Sequence, residues 1–268
     1  MRLKRLVSIL KLVPNQDSMS NNDLSKASLA GILVSMGIIF GDIGTSPLYV
    51  LRSIVGNTPI DSALVMGGVS AVFWTLTIVT TLKYVVLVLE ADNKGEGGIF
   101  SLYALVRRRG KWLVFPALLG GATLLADGLI TPAISVSAAV EGLRSINDEI
   151  PTVPIIIAIL IGLFSVQFLG TNRVGKSFGP IMLGWFSMLA VLGIAQIFSF
   201  PKVLEAINPW YVYWLLTHHP DSLWVLGAVF LCTTGAEALY SDLGHCGKFN
   251  IRWAWSLVKI SLLLNYFG

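Results

Sequence analysis

Three acidic residues, Asp42, Asp127 and Glu237, lie inside apolar stretches of this chain, each among hydroxyls and helix breakers. A carboxylate within a bilayer costs about 3 kcal/mol on insertion scales, so an intramembrane acid marks an ion or proton path. Around the first, "GDIGTSPLYV" sets Gly41, Gly44 and Pro47 beside Asp42, Thr45 and Ser46. These residues can unwind a helix and free backbone carbonyls, which lipid cannot satisfy but a dehydrated cation can. Tyr49 follows Asp42 by about two helical turns and can face the same site if the break keeps the face. A Gly/Pro kink packed on a neighbouring helix is the alternative.

Around the second acid, "LLADGLITPAIS" sets Thr131 four residues after Asp127, on one helical face, with Pro132 loosening the helix beside them. Carboxylate and hydroxyl oxygens are hard ligands that suit alkali and alkaline-earth cations. The alternative is a threonine bonded to its own preceding turn and an aspartate facing water. Around the third, "CTTGAEALYSDLGH" interrupts another apolar run with Thr233, Thr234, Gly235, Glu237, Tyr240 and Asp242. Proton and cation can compete for the same three acids.

The elements that must hold these residues follow from composition. Of 268 residues 54% are hydrophobic and 13% charged, with a mean hydropathy of +0.74, so the chain is an all-α polytopic membrane protein. Seven apolar segments read as candidate spans: 28–55, 63–89, 113–142, 152–170, 178–198, 222–245 and 251 to the end. An interfacial helix is expected between the second and third, where "IFSLYALVRRRGKW" follows the polar "EADNKGEGG". Residues 1–27 form a cytoplasmic amino-terminal segment and 28–268 a transmembrane domain whose last span is incomplete.

Lysine and arginine orient the layout, because short cytoplasmic loops collect them. With the amino terminus inside, fourteen basic residues fall in the cytoplasm and three, Arg52, Arg144 and Lys202, outside; Lys83 and Lys259 lie within or near spans. The interrupted first and sixth spans stand five apart, the spacing of an inverted repeat whose two broken helices meet at the midplane. Cys232 and Cys246 lack metal-site spacing and read as reduced helix residues. His218 and His219 are adjacent and read as a solvated outer loop. The net charge of +4 includes no long basic run, so nucleic acid is not an expected partner, and no nucleophile–base pair near the acids suggests an enzyme.

Four stretches, "GDIGTSPLYV", "NKGEGGIFSLYAL", "DGLITPAISVSAAVEGL" and "GAEALYSDLGHCGKFNIRWAW", occur in order over residues 28–268 and closely resemble the Kup/HAK/KT family of potassium uptake transporters. The resemblance implies a fold like that of the amino acid-polyamine-organocation superfamily, incomplete in this chain, with later spans and a cytoplasmic domain absent. It implies potassium import coupled to protons across the plasma membrane, with no cofactor beyond the transported ions. It assigns potassium contacts to Asp42, Tyr49, Asp127, Thr131 and Thr234, and proton coupling to Asp42, Asp127 and Glu237. Some relatives carry glutamate where Asp127 stands. The expected partners are potassium, protons and the bilayer, and a homodimer is left open. The alternatives are an amino acid or polyamine transporter of the same fold, which Asp42 disfavours by occupying the place of a substrate carboxylate, and a non-functional fragment.

Overall fold

The computed structural model describes residues 27–56, 59–167 and 171–268. Among them the chain is helical, with one isolated antiparallel pairing of Asn93 with Glu96. The expected cytoplasmic segment 1–27 lies outside the described residues apart from Ala27.

Four helices among the described residues are long and apolar enough to cross a membrane: Ser62–Glu90, Lys111–Ser145, Ser177–Ser199 and Ser222–Ser241. Leu29–Ile39 and Gly41–Leu48, bent by 66° to one another, make a fifth if counted as one broken span. This is fewer than the seven expected. The expected fourth span becomes helix Thr152–Gln167, whose described apolar portion, Thr152–Ser165, is shorter than the other four. The expected seventh becomes Lys248–Phe267, a 20-residue helix carrying Lys248, Asn250, Arg252, Lys259 and Asn265, too polar to pass on composition alone.

Local chemistry sets the breaks. Ser28 caps the first helix, its hydroxyl accepting from the Gly31 N–H at 3.0 Å. That helix stops at Phe40, a short helical turn carries Asp42, and Pro47 sits in the tight turn Ser46–Leu48 before the chain resumes as Val50–Val55. Asp61 caps the second span by accepting from the Leu64 N–H at 2.6 Å. Within that span, Leu76–Leu87 winds as a wide π-helix of 12 residues, a form that recurs at functional sites. The polar stretch after it closes as a tight turn in which Gly95 and Gly98 take φ of +87° and +90°. A helix follows as Ile99–Val106, where an interfacial one is expected, with no buried residue.

The third span runs as Val114–Glu141 straight through Pro132. A helix not expected from the sequence, Trp210–His218, precedes the sixth span and buries Leu215 against Gly67. His218, at its end, is exposed and stacked on Trp214 at 5.0 Å between ring centroids. Both cysteines are buried and free.

The core forms where Thr171–Ser199 packs between Leu29–Ile39 and Lys248–Phe267. Phe40 stacks on Trp255 at 6.0 Å, and the Trp255 indole donates to Thr81 Oγ1 at 3.0 Å, tying the second span to the same core. Small residues let these helices approach, as membrane helices do in the absence of a hydrophobic drive between them. Gly37 lies against the backbone of Gly179, and Gly179 against the Leu33 carbonyl, so a Cβ at either would collide with main chain. Gly37→Leu should therefore destabilise the fold by about 3 kcal/mol or more, the upper end for overpacking. Gly184→Ala, with nothing within 4 Å of its Cβ position, should be neutral or mildly stabilising. Thermal unfolding of the two purified variants in detergent measures the contrast, and equal midpoints would refute the crossing.

Candidate cation site

The site begins with two interruptions that touch. In the sixth span the helix Ser222–Phe230 tightens through Leu231–Thr233, then turns at Thr234 (ψ 131°) and Gly235 before resuming as Ala238–Ser241. Gly235 has φ of +86°, and a Cβ there would stand 2.8 Å from the Asp42 Cβ and 2.9 Å from Asp42 Oδ2. Glycine is required for both the backbone angle and the close approach.

Side-chain donors occupy the carbonyls released by the breaks. Thr45 Oγ1 donates to the Asp42 carbonyl at 2.8 Å, and Trp185 Nε1 to the Gly44 carbonyl at 2.9 Å. Thr233 Oγ1 donates to the Phe230 carbonyl at 2.8 Å, and Ser46 Oγ to the Leu231 carbonyl at 3.3 Å. These four carbonyls are therefore paired, contrary to the expectation from sequence that freed carbonyls stay unpaired, while acidic side chains bring further oxygens to the same region.

Asp42, Asp127 and Glu237 each place one carboxylate oxygen within 4.8 Å of the others. Asp42 Oδ1 is enclosed and has no hydrogen-bond partner among the described residues. On the third span, Thr131 Oγ1 donates to Asp127 Oδ1 at 2.8 Å. Tyr49 stands at the edge of the cluster, its hydroxyl 3.3 Å from Ser46 Oγ and within bonding reach of Thr234. Asp127, Thr234 and Glu237 also line a cleft of about 360 Å3 together with Thr123, Lys83 and Tyr84. Carboxylates this close repel one another, so a positive charge among them, a cation or a proton, stabilises the arrangement. All-oxygen donors suit a hard cation such as an alkali ion.

The family model of the K+ potassium transporter integral membrane domain matches residues 29–268. The chain belongs to this family. Of the similar curated proteins, the probable potassium transport system protein Kup of Flavobacterium psychrophilum is 63% identical over 251 residues, covering 93% of this chain and 38% of the relative. That of Cytophaga hutchinsonii is 60% identical over 253 residues, covering 92% and 39%. That of Enterococcus faecalis is 53% identical over 260 residues, with the same shares. The chain thus spans about two fifths of the length of these curated relatives. No solved structure matches it.

In this potassium transporter family member, all six residues singled out in the sequence fall in one region. The three acids and Thr131 form its centre, while Tyr49 and Thr234 join the first break to the sixth. Sequence reasoning missed Ser135, whose Oγ lies 3.0 Å from Thr45 Oγ1 and anchors the third span to the first break. Its signal was present, since Asp127, Thr131 and Ser135 recur every four residues. Lys83 and Tyr84, which line the cleft with the acids, were also missed.

A charge clasp ties the end of the second span to the start of helix Lys248–Phe267. Lys248 Nζ lies 2.7 Å from Asp92 Oδ1 and 3.2 Å from Glu90 Oε2, and an Arg252 guanidinium nitrogen lies 2.6 Å from Glu90 Oε1. Beside it, the Tyr240 hydroxyl donates to the Ala91 carbonyl at 2.6 Å. The Lys248 ammonium, and secondarily the Gly95 N–H, hold the Asp92 carboxyl below its ordinary range. A depressed carboxyl stabilises the fold above its unfolded value, about 3.9, and that contribution disappears as pH falls through the folded value. The stability lost in Lys248→Met should accordingly be constant near neutrality and shrink below about pH 4. Thermal unfolding of both proteins from pH 7 to pH 3 measures it; a gap that does not change with pH would refute the clasp.

Proposed function

We propose that these residues carry the ion site of a potassium importer working by alternating access and coupled to protons, in a plasma membrane with the amino terminus inside. One observation carries the reading: oxygens from the first, third and sixth spans converge within 4.8 Å where two helix interruptions touch. Asp42, Tyr49, Asp127, Thr131 and Thr234 contact potassium, and Asp42, Asp127 and Glu237 exchange protons with it. Residues 28–268 act as a transmembrane domain. The paired interruptions fit an inverted-repeat fold like that of the amino acid-polyamine-organocation superfamily, in which broken helices flank the substrate. The printed names of the relatives, potassium transport system proteins, support potassium as the substrate.

Physically, the site exchanges one positive charge for another. A bare carboxylate cluster is costly in a low dielectric, a dehydrated potassium ion offsets that cost, and protonation of one acid does the same when the ion leaves. Conformations with an occupied or protonated site are therefore the ones favoured to move. The test uses the chain joined to the remaining length of the Flavobacterium psychrophilum relative, expressed in bacteria that lack their own potassium uptake. Asp42→Asn should cut rubidium uptake by about tenfold or more, the value of one buried charged contact. Rubidium uptake equal to that of the unmutated protein would refute the assignment.

A further inference from the structure

Lys83 is a cation inside the second span, and the acid cluster as described does not use it. Its position follows from the helix type. In a π-helix, residues four and five apart share a face, and Val79, Lys83 and Tyr84 all line the cleft that Asp127 and Glu237 also line. The Lys83 ammonium sits 5.0 Å from the centroid of the Tyr84 ring, a cation–π distance. Tyr84 is in turn close enough to Glu237 to feel its charge. A lysine in a span is rare and normally faces a water-filled cavity or an acidic partner. Here the cavity and the acids are the same place.

We propose that Lys83 is a tethered counter-charge of the ion site, a specificity-determining residue whose ammonium competes with the transported cation for the carboxylates. This rests on the transport reading above. With a cation among the acids, the ammonium is held back over the Tyr84 ring. When the cation leaves, the flexible stem lets the ammonium approach Glu237 and Asp127 and balance their charge. The empty site is then stabilised without recapturing the ion, so release is favoured. The cost is weaker apparent affinity, because a tethered positive charge in the same cleft repels the incoming cation, an effect of roughly tenfold in affinity.

Rubidium uptake by the same joined protein tests this, measured as initial rate against rubidium concentration and normalised to the amount in the membrane. Lys83→Gln and Lys83→Met should each lower the half-saturating concentration about tenfold and reduce the maximal rate, whereas Lys83→Arg should keep both values near those of the unmutated protein. If a neutral variant is too slow to assay, rubidium-dependent thermal stabilisation of the 268-residue chain reads the affinity instead. Unchanged half-saturation in both neutral variants overturns the proposal, as does an Arg variant that behaves like Gln. If Asp42→Asn abolishes uptake while the Lys83 variants match the unmutated protein, the counter-charge alone falls. If Asp42→Asn leaves uptake intact, the ion site itself falls.

Discussion

Everything at the centre of this molecule follows from one constraint: a helix interrupted within a membrane releases backbone carbonyls that lipid cannot satisfy. The chain meets it from within. Thr45, Ser46 and Thr233 reach carbonyls in and beside the two breaks, and Trp185 reaches across from the fifth span to Gly44. Because the cost of the breaks is offset by side chains, the interrupted segments persist as defined geometry, and Asp42 can rest directly on Gly235. Without those four donors, the breaks would have to close or admit water.

With the backbone satisfied, the remaining imbalance is one of charge. Asp42, Asp127 and Glu237 come within 4.8 Å of one another, and Asp42 Oδ1 has no hydrogen-bond partner among the described residues. A cluster of carboxylates at this spacing is a place whose energy changes when a positive charge enters or leaves. Such a change is what a transporter needs in order to couple occupancy to conformation. Lys83, on the rim of the same cleft, adds a positive charge that cannot depart.

The periphery supplies rigidity of a different kind. Backbone contacts at Gly37, Gly179 and Gly193 bring the fifth span against the first helix and against Lys248–Phe267, while Phe40 and Trp255 fill the junction. At the start of helix Lys248–Phe267, the clasp of Lys248 and Arg252 on Glu90 and Asp92 joins segments far apart in sequence. Each exposed ion pair contributes little alone. Together with the Tyr240–Ala91 bond they hold the end of the second span to Ala238–Ser241 and to Lys248–Phe267.

The resemblance to the family singled out the full six residues of the site, while the sequence by itself determined the class of the protein, the positions of the two interruptions, the three acids and the Asp127–Thr131 pair. Those features depend on composition and short-range spacing: glycine and proline next to acids in apolar runs, and threonine one turn after Asp127. Only the tertiary structure decided which groups at the breaks find hydrogen-bond partners, because that depends on side chains such as Trp185 and Ser135 that arrive from distant segments. It also decided that Lys83 faces the cleft. A local pattern cannot show this, since the acids that share the cleft come from other spans far away in sequence.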